Sequence, residues 1–167
     1  MLSCQKCKLH SSPNNKEKGI PIGWGSGVGG LFVIGLSPSD SRQKTKYAMK
    51  PVSESDTANL ITDCLKELNI EEKDFYITNL VKCSFNNNVC DSKFFDVCYN
   101  EWLIKELIRH SPKNVICLGE DVYNYIYEKP ELDNTFNIKK VWHHAYIARD
   151  RSKLEEWISQ WKTALKL

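Results

Sequence analysis

Three short apolar runs and a fourth strand segment, each separated from the next by a stretch of helical periodicity, constrain this chain more than any other feature. The runs are LFVIGL (31–36), FYITNLV (75–81), NVICLG (114–119) and the segment 138–143. The first three are rich in β-branched and aromatic residues, as buried strands are. Between the first and second, Leu60, Ile61, Cys64, Leu65 and Leu68 share one face of a helix over 57–68. A helix from about 94 to 110 turns Trp102, Leu103 and Leu107 inward and stops before Pro112. A short helix is expected over 120–128. The last helix opens with a capping box, Ser152-x-x-Glu155, and aligns Leu154, Trp157, Ile158, Trp161 and Leu165. Strands that alternate with helices predict a three-layer α/β/α sandwich around a central, mainly parallel four-stranded sheet. Ligands of such sheets bind beyond the carboxyl ends of the strands. Those ends are Gly35-Leu36-Ser37-Pro38, Asn79, Gly119 and His143-His144.

Composition bears on partners. The chain has 167 residues, 41% hydrophobic and 26% charged, with a net charge of +2. It is expected to form one domain over 1–167. A net charge this small means that any nucleic-acid surface is a local patch. Apolar runs fall well short of the roughly 20 residues of a transmembrane helix. Met1 leads directly into a polar stretch, so no secretory leader is expected. Seven cysteines, an odd number, then fit a reducing cytoplasmic, intracellular setting. A monomer is expected.

Four of the cysteines have the spacing of metal ligands. Cys4 and Cys7 form a C-x-x-C pair in the polar lead SCQKCKLHSS. Cys83 and Cys98 bracket the segment after the second apolar run. Soft thiolates select zinc or an iron–sulfur cluster, and spacing alone leaves both open. Cys90 is an alternative to Cys98. Cys64 and Cys117 sit inside apolar patterns and read as core residues. The string Gly25-x-Gly27-x-x-Gly30 matches a dinucleotide fingerprint, but it precedes a strand instead of following one. It therefore reads as a flexible loop.

An ordered set of motifs resembles the uracil-DNA glycosylase superfamily, in its iron–sulfur (family 4-like) branch. The set comprises Cys4-x-x-Cys7, Gly35-Leu36-Ser37-Pro38, Asn79-Leu80-Val81-Lys82-Cys83, Cys98, the run Pro112 to Gly119, and His143 to Arg149. The resemblance implies that Cys4, Cys7, Cys83 and Cys98 hold a [4Fe–4S] cluster that pins the lead near a DNA-binding face. It also implies hydrolysis of the N-glycosidic bond of uracil or another altered pyrimidine, flipped out of single- or double-stranded DNA.

On this resemblance Asn79 reads the base edge, with Leu36, Ser37 and Val52 around the base, and His143 donates to the departing base. Lys82, Tyr146, Ile147 and Arg149 meet the DNA. Three departures stand in the base pocket. Leu36 occupies a position usually acidic in family 4, Val52 one usually aromatic, and His143-His144-Ala145 replaces a His-Pro-Ser turn. Asp40 is the nearest carboxylate that could substitute. The departures leave a second reading open, a catalytically weak protein of the same fold that binds DNA or a protein partner.

Overall fold

The computed structural model describes residues 4–39, 46–51, 53, 57–85, 91–132 and 135–167. Four strands form a fully parallel sheet: β1 (Leu31–Gly35), β2 (Phe75–Asn79), β3 (Asn114–Leu118) and β4 (Asn137–Val141), in the order β2-β1-β3-β4. The register pairs Leu31 with Phe75 and Asn114, and Asn114 with Asn137. All five residues of β1 are buried, because this central strand is covered on both faces.

Side-chain alternation divides β1 between two cores. Leu31 and Val33 join a cluster with Leu60, Ile61 and Leu65 of α2 (Asn59–Glu67), Ile147 of α6 (His144–Arg149), and Trp157 and Trp161 of α7 (Leu154–Leu165). Phe32 and Ile34 pack on the other face against α3 (Phe95–Cys98), α4 (Ile104–His110) and α5 (Glu120–Tyr127). Trp157 and Trp161 are fully buried, each contributing roughly 1.5–3 kcal/mol by leaving water. These layers are the expected α/β/α sandwich. Cys64 and Cys117 lie in the two cores, as their apolar settings imply.

Several local details depart from the sequence reading. The helix expected over about 94–110 is interrupted by a π-helical stretch, Tyr99–Leu103, between α3 and α4. It ends at Ser111, whose left-handed backbone (φ 42°) precedes Pro112. The capping box is not used. Asp150 accepts from the Ser152 backbone N–H (3.1 Å) and hydroxyl (2.6 Å) and starts a 3₁₀ turn, Arg151–Lys153, that leads into α7. The lead contains an unforeseen helix, α1 (Pro13–Lys18), opened by Ser12 and a first-position proline.

The glycine-rich stretch is an ordered flank of β2, not a flexible loop. Trp24 exchanges backbone hydrogen bonds with Ile77, at 3.0 and 2.9 Å, and Gly27 N–H donates to Phe75 O at 2.9 Å. Gly25 has φ +89°, and a Cβ there would overlap the Phe75 carbonyl, so only glycine lets this segment lie along the strand. Among the described residues no helix is long and apolar enough to cross a membrane.

Candidate active site

Three strand ends and one helix start assemble the site. The order β2-β1-β3-β4 places β1 and β3 at the centre, where the chain first turns one way and then the other. A crevice opens at such a switch point. Asn79 ends β2 on one flank and His143 follows β4 on the other. Three strand spacings of about 4.8 Å make that span about 14 Å, room for a nucleotide between them.

Asn79 is 1% exposed, and neither its carboxamide oxygen nor its nitrogen has a hydrogen-bond partner. Leaving one buried polar group unpaired costs about 1–3 kcal/mol. A Cβ on Gly35 would stand 2.7 Å from Asn79 Oδ1, so the glycine is what allows the amide to reach over the end of β1. Beyond it, Gly35 O and Leu36 O accept from the N–H groups of Leu80 and Val81, both at 2.8 Å. These bonds tie the two strand ends together. Leu36 and Ser37 are half-buried, and the Leu36 side chain packs toward the α3–α5 face.

His143 caps α6: its Nδ1 accepts from Ala145 N–H at 3.1 Å. That bond fixes the tautomer, so the proton of the neutral ring sits on Nε2 as a donor. Burial first, and the charge of Arg149 second, lower its pKa below the ordinary histidine value. The ring is thus a neutral donor. Its place is set from behind by α7. Trp157 Nε1 donates to Trp142 O at 2.8 Å, and Gln160 Oε1 accepts from Trp142 N–H at 2.9 Å, so both sides of the residue before His143 are held. His144 stacks on His143 with ring centres 4.3 Å apart. Burial and His143 push its pKa down to about 3.

Two expected DNA contacts are corrected. Lys82 is 3% exposed; its ammonium donates to Thr78 Oγ1 at 2.6 Å and pairs with Glu106 at 2.7 Å. Burial lowers its pKa while Glu106 opposes the shift. A lysine so enclosed meets no phosphate. Ile147 is fully buried among the α2 and α7 side chains, on the inward face of α6, and meets no DNA. Tyr146 and Arg149 of the same helix are exposed, Tyr146 edge-on to Trp142 at 5.3 Å. Val52, Asp40 and Cys90 lie outside the described residues.

The four thiols of the lead and of the segment after β2 do not close into one group. Cys83 and Cys98 are buried, Cys4 and Cys7 half-buried. Burial first pushes the Cys98 thiol up to about 11. Lys82 N–H bonds its sulfur and opposes the rise, while Cys7 and Cys4 are near enough to add to it. Cys98 therefore feels both cysteines of the lead and touches the backbone beside Cys83. Among the described residues no three His, Cys, Asp or Glu side chains stand close enough together to hold a single metal ion. The lead is clasped to the Cys83 segment by one side chain that sequence reading missed. The Asn15 carboxamide donates to Leu9 O and Ser84 O, both at 2.9 Å, and accepts from Ser84 N–H at 2.9 Å and Ser84 Oγ at 3.0 Å. Nothing in the local sequence marks it, because its partner is 69 positions away.

Comparison with known proteins bears on the family and the fold. The family model described as the uracil DNA glycosylase superfamily matches residues 23–166. A type-4 uracil-DNA glycosylase of Archaeoglobus fulgidus is 24% identical over 167 residues, covering 100% of this chain and 74% of that protein. One of Pyrobaculum aerophilum is 30% identical over 118 residues, covering 70% of this chain and 56% of its own length. Wild-type Pedobacter heparinus SMUG2 superposes with a TM-score of 0.55 at 16% identity, over 81% of this chain and 74% of that one, a likeness of fold. With the sheet order, the strand-end Asn79 and His143, and a family match that spans β1 to α7, the chain belongs to the uracil-DNA glycosylase superfamily.

Proposed function

We propose that the protein is a DNA glycosylase that hydrolyses the N-glycosidic bond of uracil, or a close relative of it, in a flipped nucleotide. The observation that carries this reading is the unpaired Asn79 carboxamide, buried at a strand end. One acceptor and one donor side by side match the N3–H and adjacent carbonyl of a pyrimidine. Across the crevice, the Nδ1 of His143 is engaged by Ala145 N–H, which leaves the Nε2–H as the donor this reading assigns to a base carbonyl. As the C1′–N1 bond breaks, its electron pair passes to the base. A donor already in place stabilises that anion without reorganising. Water then adds to C1′, and its proton passes to the departed base anion or to solvent. Leu36 supplies no carboxylate for that water, so the rate rests on how well His143 stabilises the departing anion, a donor role in which it takes up no proton. The exposed Arg149 is the phosphate contact of this scheme, and Tyr146 its aromatic surface.

We also propose that Cys4, Cys7, Cys83 and Cys98 hold a [4Fe–4S] cluster. Without a positive centre the buried Cys98 stays a neutral thiol. A cluster would supply the charge that makes it a thiolate and would fasten the lead to the loop behind β2. Protein purified without oxygen is expected to be brown, with iron and acid-labile sulfide in similar amounts. Cys83→Ala or Cys98→Ala should bleach it. Stoichiometric zinc in colourless protein would overturn the assignment.

The test of function is an oligonucleotide panel carrying uracil and other altered pyrimidines, scored for abasic sites. Wild-type protein should release uracil, and His143→Ala should lower the rate by about 10²–10³-fold while DNA affinity stays. Salt-sensitive DNA binding with no release of any pyrimidine would favour the non-catalytic reading, in which Leu36 marks a lost activity.

A further inference from the structure

Met49 has a left-handed backbone, φ 51°, a conformation that side chains other than glycine rarely take. Its surroundings hold it there. Ile22 N–H donates to Lys46 O at 3.0 Å, and Ala48 N–H to Ile22 O at 2.7 Å, so the residues before Met49 are fastened alongside residues 20–22. Ala48 is buried. The chain then turns Met49 toward the strand ends. A Cβ on Gly35 would lie 2.8 Å from both Met49 Sδ and Met49 Cε, and 2.7 Å from Asn79 Oδ1. The thioether and the unpaired carboxamide therefore converge on one point above Gly35. Backbone strain that a surrounding structure enforces, beside a buried polar group without a partner, is the pattern of a binding pocket.

We propose that Met49 is a specificity-determining residue whose thioether forms a wall of the base pocket beside Asn79. The inference rests on the base-reading role proposed for Asn79. An unbranched, polarisable thioether offers a ring a soft surface. It also takes up the space into which a larger ring would extend. The pocket thus takes a pyrimidine with a bare ring edge and turns away one enlarged by a methyl substituent. One added carbon in a closed pocket is worth about 10–200-fold in selectivity.

The experiment measures affinity, by fluorescence anisotropy, for single-stranded oligonucleotides carrying one 2′-fluoro-2′-deoxyuridine or its 5-methyl counterpart. The fluorine destabilises a sugar cation, so neither base is released during the measurement. Wild type should prefer the unsubstituted base by about tenfold or more. Met49→Gly, which relieves the left-handed backbone and so preserves the fold, should bring the ratio near one. Met49→Leu, which keeps the volume, should retain the preference. The same ratio in wild type and Met49→Gly would overturn the proposal. Release of ordinary uracil by the wild type is scored in parallel. Release with an unchanged ratio removes Met49 from the pocket and leaves the glycosylase reading intact. No release with a collapsed ratio does the reverse.

Discussion

Asn15 and Asn79 are both buried asparagines, 4% and 1% exposed, and the protein treats them in opposite ways. The carboxamide of Asn15 makes four hydrogen bonds and joins the N-terminal lead to Ser84. That of Asn79 makes none. The two residues belong to adjoining regions, for Ser84 follows Asn79 by only five positions. On the thiol side, Lys82 has Thr78 and Glu106, and Ser84 has Asn15. At the strand ends, Asn79 is unpaired and Met49 is strained. A polar group satisfied by its own chain is architecture, whereas one left unpaired at a crevice is capacity held for a ligand.

The largest effect expected from breaking this contrast is on the architectural side. Glu106→Ala leaves the Lys82 ammonium buried without its counter-charge, which should cost about 3–5 kcal/mol. Urea unfolding checks this, and Lys82→Met combined with Glu106→Leu should recover most of the loss. A single variant as stable as wild type would show that Lys82 reaches water after all.

The two asparagines give a paired test of intermediate size. Asn15→Leu strands the groups of Ser84 and should destabilise by about 1–3 kcal/mol. Asn79→Leu removes an unpaired polar group, so it should leave stability unchanged or raise it while abolishing selection of the base. Equal destabilisation by both substitutions would erase the distinction drawn between them.

The smallest effect expected is a dependence on pH. His143 and His144 both have pKa values lowered by burial, His144 to about 3. Below the ordinary value of about 6.5 the unfolded chain takes up protons at these positions and the folded chain does not. Their contribution to stability is therefore complete above about pH 6.5 and declines as pH falls from there toward 3. Urea midpoints at pH 7.5 and 5 should show the decline, and His144→Gln should flatten it. An unchanged slope in that variant would place the proton uptake elsewhere.

The layers and their order were legible in the amino-acid pattern. Continuous apolar runs such as Leu31 to Gly35 can only be buried on both faces, and the 3.6-residue spacing of Leu60, Ile61, Cys64 and Leu65 can only face one of them. It also marked Asn79 and His143, through their place in motifs that resemble the superfamily's and at strand ends, where such a sheet binds its ligands. Spacing could not decide which way a residue near those ends points. Lys82 and Ile147 look like surface contacts in a string of motif residues, but the bend after β2 and the period of α6 turn both inward. Nor could it find Asn15, Met49 or the bonds from α7 that hold Trp142. Each acts through a partner far along the chain, or through a backbone angle, and such relations come into being only when the chain has folded.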